Sequence, residues 1–391
     1  MTRPRRVLPV IVLAQFAGTS LWFAGNAVLS DLGPEWGLTD AALGTLTSSV
    51  QLGFIMGTLV FAILGIADRL SPRVVFFGCA VLAAVANAVP VLSFARPGGL
   101  ATLVAARFLV GFFLAGIYPV GMKIAASWYR AGLGRALGLL VGALVMGTAF
   151  PHLLRAGGSA LPWSDILLGV SALATLGGAA LFFAVPEGPH LRSRSAFDPA
   201  AILRVFGERR FRAAALGYFG HMWELYAFWA LVPALVVALG VRDGPLMSFL
   251  VIGSGALGCV GGGLVSARFG SARVAAAQVL ISGVMCVVSP LLFVLPAPVA
   301  LGLVFVWGIA VVGDSPQFST LTAKTAPPER VGTALTIVTS VGFLLTVPSI
   351  QLLAWAVDTL GPQWAFLVLA PGPGLALVSL RPLLTEAGAT R

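Results

Sequence analysis

Charged residues are scarce in this chain. Only 10% of its residues are charged and 58% are hydrophobic, whereas soluble domains contain about 25% charged residues. The mean hydropathy of +0.98 excludes a water-soluble globule and indicates a protein that lies in a bilayer. The 391 residues suffice for roughly twelve helices of about 20 to 25 residues joined by short loops, and they leave no soluble domain.

Cysteine, histidine and catalytic motifs are also few. The three cysteines lie within apolar runs, which indicates packing residues rather than disulfides or a metal site. The histidines, His152, His190 and His221, have no metal-ligand spacing, and neither His-Glu-x-x-His nor the phosphate-binding Gly-x4-Gly-Lys occurs. An enzyme is therefore a poor fit, and we expect no cofactor and no metal.

Apolar runs long enough to cross a bilayer recur along the whole chain. They predict spans at approximately residues 8–30, 41–65, 74–93, 100–122, 136–157, 165–185, 212–238, 245–266, 274–295, 298–323, 333–355 and 361–380. The one clear linker, 186–210, is rich in arginine and divides six spans from six. We therefore predict an N-terminal six-helix bundle at 1–185, a cytoplasmic basic linker at 186–210 and a C-terminal six-helix bundle at 211–391.

Basic residues are distributed asymmetrically over this layout. With a cytoplasmic N-terminus, the 24 Lys and Arg residues fall on the inner side except Arg96, Arg155 and Arg242 outside and Arg107 within a helix. Cytoplasmic loops carry such an excess of Lys and Arg, so we expect a multi-pass protein of the cell (inner) membrane with both termini in the cytoplasm. The net charge of +10 is dispersed over short loops, so we expect no nucleic-acid partner.

A pattern of glycine and proline occurs once in each half of the chain. The two copies are Gly111-x4-Gly116-x2-Pro119 and Gly308-x4-Gly313-x2-Pro316, each followed by Gly-x-Ala-Leu and then by Pro151 or Pro348. Small residues allow helices to pack closely in a membrane, and prolines bend them. The same order in both halves indicates a duplicated bundle, an architecture typical of secondary transporters.

The loop between the second and third spans carries a recognisable motif. The segment 64–73, Leu-Gly-Ile-Ala-Asp-Arg-Leu-Ser-Pro-Arg, resembles the loop motif of the major facilitator superfamily, with Asp68, Arg69 and Arg73 at matching positions. A decayed copy in the second half keeps Arg268 and has Ala267 in place of the aspartate. An aspartate that pairs with arginines at a helix end can latch one conformation of a rocking bundle. Ordinary loop charge is the alternative.

A second resemblance lies on the fourth span. Leu103-x3-Arg107-x3-Gly111 is similar to the intramembrane arginine motif of the same superfamily, in which this arginine is often linked to proton coupling. The fifth span lacks the Gly-Pro pair of drug/proton antiporters, and the second and eighth spans lack the arginines of nitrate carriers. The resemblance implies an all-α membrane fold of twelve transmembrane helices in two pseudo-symmetric six-helix bundles, and transport as the activity.

Three ionisable residues fall inside spans: Arg107 on the fourth, Glu224 on the seventh and Asp314 on the tenth. A charge at the bilayer centre costs about 2.5 to 3.5 kcal/mol on insertion scales, so such residues face a cavity or a partner. The resemblance places these spans around a central cavity, and we predict that the three residues serve proton coupling. Burial disfavours a charged carboxylate, so Glu224 is the first candidate to take up a proton. A permanent pair with Arg107 is the alternative.

Polar groups cluster at the proline bend of the tenth span. Pro316 removes an amide donor and exposes a backbone carbonyl, so Asp314 and Gln317 are candidates to face a cavity. Tyr118 lies at the equivalent place in the first half, and Tyr226 is an aromatic candidate on the seventh span. Asp314 has the alternatives of capping the break or neutralising a cytoplasmic lysine.

Polar residues recur at helical spacing on the first span. Gln15, Thr19, Trp22 and Asn26 form one stripe in an otherwise apolar helix, and Gln51 on the second span is placed to join them. This spacing favours a face of the substrate cavity. The alternative is hydrogen bonding between helices, worth about 0.6 to 2 kcal/mol for each bond.

The leading hypothesis is a monomeric carrier that moves a small organic solute by alternating access in the lipid bilayer, coupled to protons. An alternative is an exporter of amphipathic or cationic compounds, with Glu224 and Asp314 as counter-charges and Trp22, Trp223 and Trp229 as stacking surfaces. A non-transporting membrane sensor is the alternative of another class.

Overall fold

The computed structural model describes residues 4–37, 41–92, 99–129, 133–157, 161–190, 206–327 and 331–389. Within these ranges the chain is helical and contains no strand. Eleven helical segments of the described residues are long and apolar enough to cross a membrane. The all-α membrane fold predicted from the sequence is confirmed.

Each predicted span corresponds to one helix or to a broken pair. The first half contains Val7–Thr19, Ala24–Trp36, Ala41–Leu64, Ile66–Arg69, Pro72–Leu92, Leu100–Leu114, Tyr118–Trp128, Leu133–Gly157 and Trp163–Ala184. The second half contains Arg209–Ala238, Gly244–Phe269, Ser271–Val288, Ala297–Gly313, Ser315–Thr325, Val331–Leu360, Pro362–Ala365 and Pro371–Ala389, with 3-10 turns at Ser289–Phe293 and Phe366–Leu369. Spans are numbered first to twelfth below, with broken pairs counted as one span.

The chain forms two compact units. One comprises Met1–Arg194 with Asp243–Gly253, and the other comprises Ser195–Arg242 with Ser254–Arg391. In the first unit the second span packs along the fourth, and the third packs along the sixth. In the second unit the seventh span packs along the eleventh and twelfth. Most of the predicted linker lies outside the described residues.

The first span is broken, although the sequence predicts a single helix at 8–30. One helix ends at Thr19, the next begins at Ala24, and the residues between them form a turn. At this point the Ser20 hydroxyl donates to the carbonyl of Ala17 over 2.6 Å. A hydroxyl that binds the preceding turn competes with the helix ladder and bends the helix.

The glycine and proline repeat marks the same break in both halves. The fourth span breaks after Leu114, and the tenth breaks after Gly313. Each following helix has a proline, Pro119 or Pro316, in its first turn, where the missing amide hydrogen would have had no helical partner. The equivalent placement supports the duplication inferred from the sequence.

Glycines bring the second and fourth spans into close contact. A Cβ atom added at Gly111 would overlap the carbonyl oxygen of Val50, and one added at Gly53 would overlap that of Phe108. The two helices therefore approach each other backbone to backbone. Such an approach maximises packing between helices in lipid.

We expect Gly111→Ala to destabilise the protein by roughly 1 to 3 kcal/mol, because the backbone of Val50 must move to admit the methyl group. The matched control is Gly78→Ala, since a Cβ atom at Gly78, also within a helix, meets nothing within 4 Å. Melting of the detergent-solubilised protein, followed by tryptophan fluorescence, gives both values. Equal melting temperatures for the two variants would contradict the close packing.

Candidate functional site

Arg107 is buried in the first unit and bound by neutral acceptors. Its side chain is 3% exposed. One terminal nitrogen, Nη1, donates to Oδ1 of Asn87 over 3.0 Å. The other, Nη2, donates to the carbonyl of Leu21 over 2.8 Å and to that of Trp22. The break in the first span therefore supplies the main-chain oxygens that hold the guanidinium of the fourth span.

Asn87 extends this network to the sixth span. Its Nδ2 donates to the carbonyl of Leu167 over 3.0 Å and to the hydroxyl of Ser171 over 3.1 Å. Gly25 packs against the Arg107 side chain, because a Cβ atom there would lie 3.1 Å from both Cδ and Nε. Nη1 and Nη2 of the guanidinium are thus bonded, whereas Nε is buried without a hydrogen-bond partner among the described residues. Three neutral acceptors therefore hold this buried charge.

Glu224 is buried in the second unit and held by three donors. Its side chain is 2% exposed. Oε1 accepts hydrogen bonds from Nε1 of Trp307 over 2.7 Å and from Sγ of Cys286 over 3.3 Å. Oε2 accepts a hydrogen bond from the Ser282 hydroxyl over 2.9 Å. All three donors are neutral groups, and they come from the ninth and tenth spans.

Arg107 and Glu224 lie on different spans of the duplicated frame but connect equivalent sets of spans. Arg107 lies on the fourth span of the first half and binds groups of the first and third spans. Glu224 lies on the seventh span, which is the first of the second half, and binds groups of its third and fourth spans. Each half therefore ties the same three spans together through one charged side chain.

A histidine missed by the sequence analysis pairs with Asp314. Nδ1 of His221 lies 2.8 Å from Oδ1 of Asp314, and both side chains are buried. This contact joins the seventh span to the break in the tenth. His221 lies three residues before Glu224 on the same helix, but nothing in the sequence indicates Asp314 as its partner.

The predicted polar stripe of the first span is divided by the helix break. Gln15 and Thr19 lie on the first helix, Trp22 lies in the turn, and Asn26 lies on the second helix. The Thr19 hydroxyl donates to the carbonyl of Gln15 over 2.8 Å, and Asn26 donates to Oγ1 of Thr47 over 2.7 Å. Thr19 and Asn26 thus make hydrogen bonds within the first unit. The amide of Gln15 does not, as described next.

Gln15 and Gln51 are the buried amides. Both side chains are fully buried, and within the described part of the chain neither their oxygens nor their nitrogens have a hydrogen-bond partner. Gln15 faces Gly121 of the fourth span, where a Cβ atom would overlap its Oε1. A buried amide without a partner costs free energy, so these two groups are suited to bind something polar.

The aromatic candidates are mostly packed against other rings. Trp22 lies against Phe54, with ring centroids 5.0 Å apart. Tyr226 lies against Trp229 at 5.3 Å and against Phe343 at 5.0 Å. Packing of this kind leaves these rings little surface for a substrate.

The remaining candidates are Tyr118 and Gln317, at the starts of two helices, and Trp223, in the middle of the seventh span. Tyr118 begins the second helix of the fourth span and is partly buried, while Gln317 is buried in the first turn of the second helix of the tenth span. Trp223 is partly buried and donates from Nε1 to the carbonyl of Val368 over 3.1 Å, so it connects the seventh span to the region before the twelfth helix.

The predicted latch residues have different surroundings. Arg73 pairs with Glu187 over 3.1 Å and donates to the carbonyl of Val185 over 3.0 Å, so it secures the end of the sixth span. Arg69 is exposed, and the guanidinium of Arg268 lies 5.4 Å from the ring centroid of Phe269. The side chain of Asp68 lies outside the described residues. The latch stays a prediction.

A bundle of apolar helices with buried ionisable side chains in each duplicated half is typical of a membrane carrier. A model of the major facilitator superfamily matches residues 10–349. The chain belongs to the major facilitator superfamily, and it is a member of a transporter family rather than an enzyme. The family resemblance, the fold class and the multi-pass membrane class predicted from the sequence are confirmed.

A curated relative and solved structures agree with this family. The niacin transporter NiaP of Acinetobacter baylyi is 29% identical over 212 residues, which are 48% of this chain and 45% of NiaP. The match therefore spans about half the length of that relative. The human organic anion transporter MFSD10 (TETRAN) has a TM-score of 0.70 at 17% identity, over 97% of this chain and 100% of that chain.

A second solved structure is a bacterial homologue of the human lysosomal transporter Spinster in an inward-facing and occupied conformation. Its TM-score is 0.65 at 16% identity, over 99% of this chain and 96% of that chain. At such identities the likeness to both structures shows the fold alone.

Proposed function

We propose that this protein moves a small organic solute across the cell (inner) membrane by alternating access, coupled to protons. The observation that supports coupling is the environment of Glu224. Among the described residues, the hydrogen-bond partners of this buried carboxyl group are neutral donors and include no cation. Proton uptake removes the cost of burying its charge.

The pair of His221 and Asp314 supports the same proposal. Burying an ionisable group in a membrane costs free energy, so such groups are candidates for a function. Here a histidine and two carboxyl groups belong to the seventh and tenth spans, and two of the three touch each other. We infer that Asp314 and His221 form a second proton-binding pair beside Glu224, with Arg107 as the permanent charge of the other half.

Gln15 and Gln51 are the proposed substrate contacts in the first unit. An amide offers both a donor and an acceptor, and both amides are buried without a described partner. A solute with a carboxylate, amide or hydroxyl group would supply the missing hydrogen bonds. The relatives that transport niacin and organic anions make small carboxylates the first class to test.

The export of amphipathic or cationic compounds is the weaker alternative. It requires open aromatic surfaces, whereas the rings of Trp22 and Trp229 pack against Phe54 and Tyr226. We further propose a monomer with both termini in the cytoplasm. A C-terminal tag that added protease cannot reach in intact cells supports this orientation, and one that is cleaved there contradicts it.

The test is a proteoliposome assay with a pH-sensitive dye inside the vesicles. We expect the wild type to move protons only when a pool of small carboxylates, niacin included, is added. Gln51→Leu should raise the half-saturating concentration about ten-fold through loss of one hydrogen bond. Labelled solute that moves without a dye response would reject proton coupling. Activity only with cationic pools would favour the exporter.

A further inference from the structure

The two carboxylate oxygens of Glu224 have chemically different partners. Oε1 accepts from the indole of Trp307, which can only donate, and from the weakly bonding thiol of Cys286. Oε2 faces the hydroxyl of Ser282, which can both donate and accept. A proton on Oε1 would have no good acceptor and would weaken two existing bonds. A proton on Oε2 has an acceptor at 2.9 Å.

Ser282 also has a second acceptor within reach. Its Oγ lies 2.9 Å from Oε2 of Glu224 and 3.2 Å from the carbonyl oxygen of Val279. A hydroxyl has a single hydrogen, so it donates to one of these two oxygens at a time. The geometry therefore offers two complete hydrogen-bond arrangements that differ by a rotation of the Ser282 hydroxyl.

We propose that the coupled proton binds Oε2 of Glu224 and that Ser282 is the positioning residue that accommodates both states. In the charged state the Ser282 hydroxyl donates to Oε2. When a proton arrives, the new O–H of Glu224 donates to Oγ of Ser282, and the serine hydrogen turns to the carbonyl of Val279. The carboxylate gains one proton as a new O–H bond, no other covalent bond changes, and only the two hydrogen bonds of the Ser282 hydroxyl are exchanged. This inference rests on the proposed function.

Other titratable groups surround this position. The thiol of Cys286 faces Glu224 from the ninth span, Asp314 lies on the tenth, and His221 lies on the same helix as Glu224. Within the described structure, the group at hydrogen-bond distance from Oε2 of Glu224 is the hydroxyl of Ser282, not one of these titratable groups. The assignment of the proton to one oxygen follows from this asymmetry.

Infrared difference spectroscopy of the full-length protein between acidic and alkaline pH tests the proposal. We expect a protonated-carboxyl band that is absent in Glu224→Gln. Ser282→Ala should move this band to higher frequency, because the O–H loses its acceptor. Ser282→Thr, which keeps a hydroxyl, should leave the band near its wild-type position. In proteoliposomes Ser282→Ala should slow solute-dependent proton movement about ten-fold, and Ser282→Thr should restore it.

The possible failures are distinguishable. A band that Glu224→Gln removes but Ser282→Ala does not move would overturn the role of Ser282 and leave Glu224 as the proton carrier. A spectrum in which Glu224→Gln removes no band would overturn both this inference and proton binding at Glu224. Trp307→Phe provides an independent check if Ser282→Ala does not fold. It should raise the frequency of the same band, because the C=O at Oε1 loses its strongest donor.

Discussion

Glu224→Gln is expected to reduce solute-dependent proton movement about 100-fold and to leave the protein folded. Glutamine has the size of glutamate, its oxygen can still accept from Trp307, and its amide can donate to Ser282. It therefore resembles the protonated state but cannot release a proton. A factor of this size is typical of the loss of a group that transfers a proton. The dye-loaded proteoliposome assay measures it directly.

The control for this variant is Asp358→Asn, which removes an exposed carboxylate of the second unit. It should leave proton movement within two-fold of wild type, roughly the scatter of surface substitutions. Equal proton movement in Glu224→Gln and wild type would show that the carboxylate has a structural role. The coupling would then fall to Asp314 and His221, or to another ion.

Arg107→Lys is expected to destabilise the protein by roughly 2 to 4 kcal/mol and to abolish transport, although it keeps the charge. The guanidinium reaches Asn87 with one nitrogen and two carbonyls with the other. A single ammonium group cannot occupy both places. Each buried acceptor left without a donor costs about 1 to 3 kcal/mol. Thermal melting in detergent measures the loss.

Arg155→Lys is the matched control. Arg155 pairs with Asp31 over 2.6 Å, but both side chains are partly exposed, at 21% and 26%. An exposed ion pair contributes about 0 to 1 kcal/mol, so the same substitution there should have a small effect. If both Arg→Lys variants lose similar stability, the network around Arg107 contributes less than its geometry indicates.

Hydropathy and the glycine and proline repeat predicted much of this fold. The spans follow from the length of the apolar runs, and the breaks in the fourth and tenth spans follow from Pro119 and Pro316. Helix ends were predicted less well. The fourth span continues to Trp128 rather than ending near residue 122, and Lys123 in this added stretch donates to the carbonyl of Ala67.

The partners of the buried charges could not be predicted. The first span breaks at residues 20–23, where Ser20 is the one polar residue and neither glycine nor proline occurs. The acceptors for Arg107 are main-chain carbonyls, which every residue has, so no residue type marks them. His221 and Asp314 are distant in sequence, and only the packing of the seventh span against the tenth brings them together.

The opposite signs of Arg107 and Glu224 have an electrical consequence. With Glu224 ionised, these two interior charges cancel in the sum. When Glu224 binds a proton, the sum becomes +1. Moving one elementary charge across the whole membrane changes its energy by about 2.3 kcal/mol for each 100 mV of membrane potential. With a neutral solute, voltage would therefore act on the reorientation of the proton-loaded carrier and leave that of the unloaded carrier nearly unaffected. A bound carboxylate would offset the added charge, so the voltage dependence of transport reports the charge of the solute.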